Sequence, residues 1–277
     1  MRLFWYSINK MNRSHPILSK KGIKSVLLSP KENYGDLMSK YLTEKICRKK
    51  VIWFDPKVNG YQNHFMVIGS ILNFSRKDSI VWGSGIINRS HLIKKSDFRA
   101  VRGPLTRKRL LDHDYDCPEI YGDPAILLPE YYNPDIEKKY KLGVVPHFTE
   151  FSFLSKKLQK DQNINLINLL THDIEKVTKE ILKCDYIISS SLHGLIVAHA
   201  YEIPAIWVKF SDHLYGDDIK FYDYLESMSI DLYNPIKITQ RIDLRDVLQL
   251  FHSNRNLPRP LILDNVKNRL IQNCPFL

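Results

Sequence analysis

One stretch constrains the fold of this chain more than any other. Cys184-Asp185-Tyr186-Ile187-Ile188 is an apolar segment of strand character, three serines follow, residues 192–201 have helical character, and Pro204-Ala205-Ile206-Trp207-Val208 is apolar again. Strand, helix and strand within so few residues make a βαβ unit, which belongs to a parallel sheet. Ser189, Ser190 and Ser191 supply N-cap chemistry. A helix start presents backbone N–H groups without partners and the positive end of the macrodipole, so it suits an anion. His193 falls in the first turn, and Gly194 permits close approach of a ligand or of packed backbone. A capped core helix with a hydrogen-bonded histidine has the same pattern, so the rest of the chain has to decide.

The alternation recurs throughout. Residues 1–8 read as a first strand and 24–29 as another, leading into a turn-forming loop over 30–36. A helix is expected over 37–48, with short strands at 51–54, 65–70, 79–85 and 98–104. Pro104 suits the first position of a helix over 105–111, and 120–124 repeats strand, glycine turn and polar residue. Around 130–139 the sequence turns polar, which places a domain boundary between 1–138 and 139–277. The second half reads as a strand at 141–147, helices at 150–160 and 173–183 flanking a strand at 164–169, the opening stretch, a strand at 205–209 and a helix near 220–227. Two amphipathic helices at 240–251 and 260–273 form a tail. The class is therefore α/β, with parallel sheets and two Rossmann-like domains facing a cleft. Ligands of such sheets bind outside the carboxyl ends of the strands. The polar residues at those ends are Asn33 and Asp36, Ser84, Arg102, Asp123, His147, and Ser190 to His193.

The net charge is +11, which calls for an anionic partner or a solvated basic surface. The basic clusters Arg48-Lys49-Lys50, Lys94-Lys95 and Arg107-Lys108-Arg109 are short and lack the aromatic interleaving of a nucleic-acid module. Nucleic acid is therefore not an expected partner; peripheral contact with anionic lipid at the inner membrane face is. No apolar run approaches the roughly 20 residues that span a bilayer. Cys47, Cys117, Cys184 and Cys274 are far apart, which argues against a zinc site or a disulfide framework and fits a cytoplasmic protein.

Taken singly, the loops are ambiguous. Asn33-Tyr34-Gly35-Asp36 is either a turn with a helix cap or an acceptor loop with Asp36 as general base. Trp82-Gly83-Ser84-Gly85 is a tight turn or a weak phosphate cradle. Arg102, at a strand end, can grip a carboxylate or phosphate bidentately or form an ion pair. Gly122-Asp123-Pro124 reads as a cap. Lys209 ends the strand after the key helix and can reach the same anion. His199 reads as structural. Asp217-Asp218 has no companions at ligand spacing, so a metal is not expected and helix capping is the simpler role.

The ordered set Asn33-Tyr34-Gly35-Asp36, Trp82-Gly83-Ser84-Gly85, Val101-Arg102-Gly103-Pro104-Leu105-Thr106, Tyr121-Gly122-Asp123-Pro124-Ala125, Val145-Pro146-His147 and Ser190-Ser191-Leu192-His193-Gly194 resembles the motif series of the polysaccharide pyruvyl transferases, over residues 24–232. The resemblance implies a GT-B-like fold, phosphoenolpyruvate as co-substrate with no resident cofactor, and a saccharide acceptor, lipid-linked or nucleotide-linked, that receives a pyruvate ketal. It implies roles in donor binding and catalysis for Arg102 and His193. Ser189, Ser190, Ser191, Leu192, Gly194, His147 and Lys209 would then lie on the donor side. Asn33, Gly35, Gly83, Ser84, Gly85 and Asp123 would form acceptor or structural loops, with Asp36 as base and Asp123 as its substitute. Some members place an arginine where this chain has Ser191, so Lys209, His147 or the helix N-terminus would take its part. Two rival readings are a GT-B-type glycosyltransferase using a nucleotide-sugar donor and a basic, non-catalytic binding module. The first would need a ribose-binding carboxylate after the strand near Ile187, where serines stand instead.

Overall fold

The computed structural model describes residues 1–14, 31–158, 161–238, 242–253 and 257–277. In chain order the first half comprises β1 (Arg2–Phe4), α1 (Ile8–Ser14), β2 (Glu32–Asn33), α2 (Tyr34–Cys47), β3 (Ile52–Trp53), β4 (His64–Met66), β5 (Ser79–Trp82), β6 (Asp97–Ala100), α3 (Pro104–Leu111) and α4 (Leu128–Tyr131). The second comprises β7 (Tyr140–Val145), α5 (Phe151–Lys157), β8 (Ile164–Leu166), β9 (Leu170–Thr171), α6 (Ile174–Leu182), β10 (Cys184–Ser189), α7 (Leu192–Ala200), β11 (Ala205–Lys209), α8 (Ile219–Ser227), β12 (Ile236–Lys237), α9 (Leu244–Ser253) and α10 (Pro260–Gln272).

Two parallel five-stranded sheets result, in the orders β3-β1-β4-β5-β6 and β12-β11-β10-β7-β8. Both follow one rule: the second strand in sequence sits outside the first, and the later strands extend the other edge. The strand order therefore reverses beside β1 in one sheet and beside β7 in the other. A doubly wound sheet opens a ligand crevice at such a reversal.

The sequence explains the layering. β11 is apolar along its length and buried up to Lys209, as a strand covered on both faces must be. α6 buries Ile174, Val177, Thr178, Ile181 and Leu182, one stripe at helical spacing, and Asp173 Oδ1 caps it by accepting from Lys176 N–H at 3.1 Å. Every residue of α7 is buried, so this helix lies inside the molecule. One apolar cluster runs from Leu3 and Trp82 to Leu195 and Trp207 and joins the two sheets. β2 pairs antiparallel with β9, so a two-stranded ribbon also bridges the halves. α10 returns to the first sheet, where Trp82 Nε1 donates to Leu270 O at 2.9 Å.

Several expected elements differ. The strand expected over 24–29, with the start of the loop after it, lies outside the described residues. The stretch 120–124 forms no strand but a single bridge between Val101 and Tyr121, followed by a 3-10 turn at Pro124–Leu127. Gly122 explains this: its φ of +136° leaves the extended region, and Pro124 has no N–H to give a ladder. The strand at 65–70 ends at Met66 for the same kind of reason, since Gly69 turns the chain at φ +106°. Among the described residues no helix is long and apolar enough to cross a membrane.

Candidate active site

The site grows from the reversal beside β7. His147 follows that strand and Ser189 ends its neighbour β10, so α7 starts at the crevice. Among the described residues, the backbone N–H groups of Leu192 and His193 make no hydrogen bond. These are free donors at the positive end of a helix. The serines prepare that end without capping it. Ser189 Oγ accepts from Ser191 N–H at 3.0 Å and lies 2.8 Å from the carbonyl oxygens of Val145 and Ser191. Ser190 Oγ donates to Glu150 Oε2 at 2.5 Å and accepts from His147 N–H at 2.9 Å. Ser191 stands at the N-cap position, but its side chain makes no cap hydrogen bond. The expected hydroxyl cap is therefore absent; two of the hydroxyls are used to fold the turn.

The first half closes on His193. Its ring packs against the backbone at the start of α2, where a Cβ on Gly35 would stand 2.0 Å from Nδ1. Nε2 faces Asp123 Oδ2 at 3.6 Å, and among the described residues neither atom has a hydrogen-bond partner. Asp123 Oδ1 accepts from Ala125 N–H at 3.0 Å, which fixes the carboxylate. Asp123 thus faces the imidazole as a fixed carboxylate within ion-pair distance.

Asp36 and Lys220 supply the remaining charge. Asn33 Nδ2 donates to Asp36 Oδ2 at 2.7 Å. Burial pushes the Asp36 carboxyl up to about 6, while the Asn33 hydrogen bond and the charges of His193 and Lys220 pull the other way. Lys220 lies in the first turn of α8, half-buried, and among the described residues its ammonium forms no ion pair. Burial lowers it to about 8, helped by the charge of Arg102 and opposed by Asp218 and Asp36. Desolvation, followed by the charge of Lys220, holds His147 at about 3, so its ring is neutral at ordinary pH. Its Nδ1 lies 2.7 Å from Thr149 Oγ1.

Other expected residues serve the frame. Arg102 is fully buried rather than open to a ligand. Its Nε donates to Asp223 Oδ2 at 3.0 Å and its two terminal nitrogens to Ser70 Oγ and Ile86 O, each at 2.6 Å. Asp223 lies on α8, so the guanidinium ties the first half to the second. Lys209 is paired with Asp218 and is not free to take a substrate anion. Gly83 and Gly85 cradle no phosphate: a Cβ would strike Pro124 at the first (2.2 Å) and the Arg102 guanidinium at the second (2.4 Å). Ser84 is buried, and its carbonyl accepts from Arg102 N–H at 3.2 Å. Gly194 admits Ser189 and Val145 rather than a ligand. Asp217 Oδ1 accepts from Ile219 N–H at 3.2 Å, whereas Asp218 makes no side-chain cap. His199 is structural, with Nδ1 2.9 Å from Tyr224 OH. Among the described residues no cluster of His, Cys, Asp and Glu could hold a metal ion.

Sequence reasoning gave no site role to Lys220, Asp223, Ser70 or Glu150. Lys220 carried a signal, because a cation in the first turn of a helix opposes the macrodipole and asks for a reason. Glu150 carried none: its buried carboxylate also accepts from Ser211 Oγ at 2.6 Å, a contact only the fold creates.

Comparison with known proteins gives a consistent picture. A family model described as polysaccharide pyruvyl transferase matches residues 17–212. A protein of Acanthamoeba polyphaga mimivirus described as uncharacterized is 34% identical over 206 residues, 72% of each chain. The succinoglycan biosynthesis protein ExoV of Rhizobium meliloti is 28% identical over 150 residues, which are 52% of this chain and 44% of that protein.

Proposed function

We propose, from the premise that this chain belongs to the polysaccharide pyruvyl transferase family, that it moves the pyruvyl group of phosphoenolpyruvate onto a sugar of a polysaccharide precursor and closes a ketal there. The observation that carries this reading is the convergence of His193, Asp36 and the unpaired Lys220 where the starts of α2, α7 and α8 meet. That architecture fits a GT-B-like pair of domains, with the donor on α7 and the acceptor at the junction of β2 and α2, where Asn33 and Asp36 stand.

Phosphoenolpyruvate carries a carboxylate and a phosphate. Lys220 and the N–H groups of Leu192 and His193 hold these anions. Lys220 thereby takes the part that Lys209 or His147 was expected to play. Cationic His193 gives a proton to the vinyl carbon, and a sugar hydroxyl adds to the adjacent carbon while its proton passes to Asp36. A second hydroxyl then displaces phosphate at that carbon and returns a proton to His193. The departing phosphate takes the proton from Asp36, so the site is restored. Arg102 is a positioning residue in this scheme, because it touches Asp223 and Ser70 and acts through them.

The test is phosphate release from phosphoenolpyruvate with a panel of lipid-linked and nucleotide sugars, read together with the mass gain of the acceptor. His193→Ala should lower turnover by at least ~10²-fold, the usual size of an acid–base contribution. Lys220→Met should raise KM for phosphoenolpyruvate more than it lowers kcat. Near-wild-type release in His193→Ala would show the site assignment to be wrong; turnover of a UDP-sugar in place of phosphoenolpyruvate would remove the proposed reaction.

A further inference from the structure

A second concave surface lies away from this site and plays no part in the chemistry above. It is built from the loops that precede β4, β5 and β6, on the amino-end edge of the first sheet, opposite the strand ends that form the site. It holds a cavity of about 580 Å³. Lys57, Arg76, Lys77, Lys94 and Lys95 line it, and among the described residues none of the five forms an ion pair. The neighbouring carboxylates are engaged elsewhere. Asp55 is buried, Asp78 faces His64 at 3.9 Å, and Asp97 pairs with Arg99 at 2.8 Å.

Apolar groups stand among these cations. Leu92 is 75% exposed and Tyr61 68%, and at the rim Val58, next in sequence to Lys57, is 54% exposed. Arg76 lies over the Tyr61 ring at 4.4 Å and Lys57 over the Phe74 ring at 4.3 Å. Cations held on aromatic faces keep their charge outward while the ring remains available to an apolar medium. Phosphates of a nucleic acid would use the cations but gain nothing from an exposed leucine and valine. A bilayer interface uses both, since its headgroups attract lysine and arginine while its acyl boundary accepts leucine and tyrosine.

We infer that this face docks the protein on an anionic membrane surface, with Leu92, Tyr61 and Val58 entering the interface and the five cations meeting lipid headgroups. This orientation turns the active-site cleft away from the bilayer, toward the glycan end of a lipid-linked molecule. The inference stands apart from the proposed reaction and holds whatever the donor proves to be.

Flotation of the full chain with vesicles tests it. Wild type should float with phosphatidylcholine vesicles containing phosphatidylglycerol and stay behind with phosphatidylcholine alone. Each neutralised cation should weaken binding about fivefold, so Lys94→Gln with Lys95→Gln should cost on the order of 25-fold. The double variant Tyr61→Ser with Leu92→Ser should weaken the binding that survives high salt. Both variants should keep wild-type phosphate release with a soluble acceptor, because neither touches the site. Equal binding to the two vesicle types, no binding to either, or unchanged binding in either double variant would overturn the inference. So would single-stranded DNA displacing the vesicles from this face.

Discussion

At the scale of single residues, the site depends on one missing methyl group. Gly35 has no left-handed φ, so its role is space rather than backbone freedom. A Cβ there would stand 2.0 Å from His193 Nδ1, and the ring has the α2 backbone on one side and Asp123 on the other. Gly35→Ala should therefore displace the imidazole, lowering kcat by ~10²-fold if the ring is the acid and stability by about 1–3 kcal/mol, as overpacking generally does. Turnover and the thermal midpoint of one preparation check both; wild-type kcat in this variant would mean that the ring position does not matter to the reaction. Arg102 makes the opposite point. A strand-end arginine has the right chemistry to hold a substrate carboxylate, yet here its fork is filled by the protein itself.

At the scale of elements, α3 and α8 are joined by one buried carboxylate. Asp223 accepts from Arg102 Nε, from Thr106 N–H at 2.8 Å and from Thr106 Oγ1 at 2.6 Å. Gly103 makes this approach feasible, since a Cβ there would fall 1.9 Å from the carbonyl oxygen of Asp223. Removing the carboxylate leaves a guanidinium buried without its counter-charge, which costs about 3–5 kcal/mol in comparable cases. Asp223→Ala should show that loss in chemical denaturation, and Arg102→Ala should lose stability as well as rate. A folded Asp223→Ala protein with an unchanged denaturation midpoint would rule out the load assigned to this pair. The same contact sets Lys220 three residues earlier on α8, so helix position and anion binding are coupled.

For the whole molecule, the pH response is set by groups from both halves. Asp36 works as a base only when ionised, and burial holds it at about 6. Activity should therefore rise as pH passes upward through about 6. Lys220 attracts an anion only when protonated, and burial holds it at about 8, so kcat/KM should fall again as pH passes upward through about 8. Lys220→Arg should abolish the alkaline rise in KM for phosphoenolpyruvate, because arginine stays charged across this range. A profile flat from pH 5 to pH 9 in the wild type would contradict both assignments.

The sequence by itself determined the α/β class, the parallel sheets and the place of most strands, though few of their ends, because those follow from short-range patterns: apolar runs of four to six residues, serine or proline at helix starts, glycine at turns. β11 matches its expected bounds for that reason, and α10 differs from expectation by one residue. It also marked His193, Asp36 and Asp123, since a strand end is where such a fold presents polar side chains. Only the tertiary structure decided which of those side chains face the crevice. Arg102, Lys209 and the glycines of residues 83–85 all sit at the expected strand ends, yet Asp223, Asp218 and Pro124 occupy them. Lys220, whose place in a first helical turn is its one local signal, is brought by the fold beside Asp36 and His147. The physical reason is that burial and charge pairing depend on partners that the fold brings up from other elements, as it brings Asp223 to Arg102 from 121 residues away, and no local pattern encodes them.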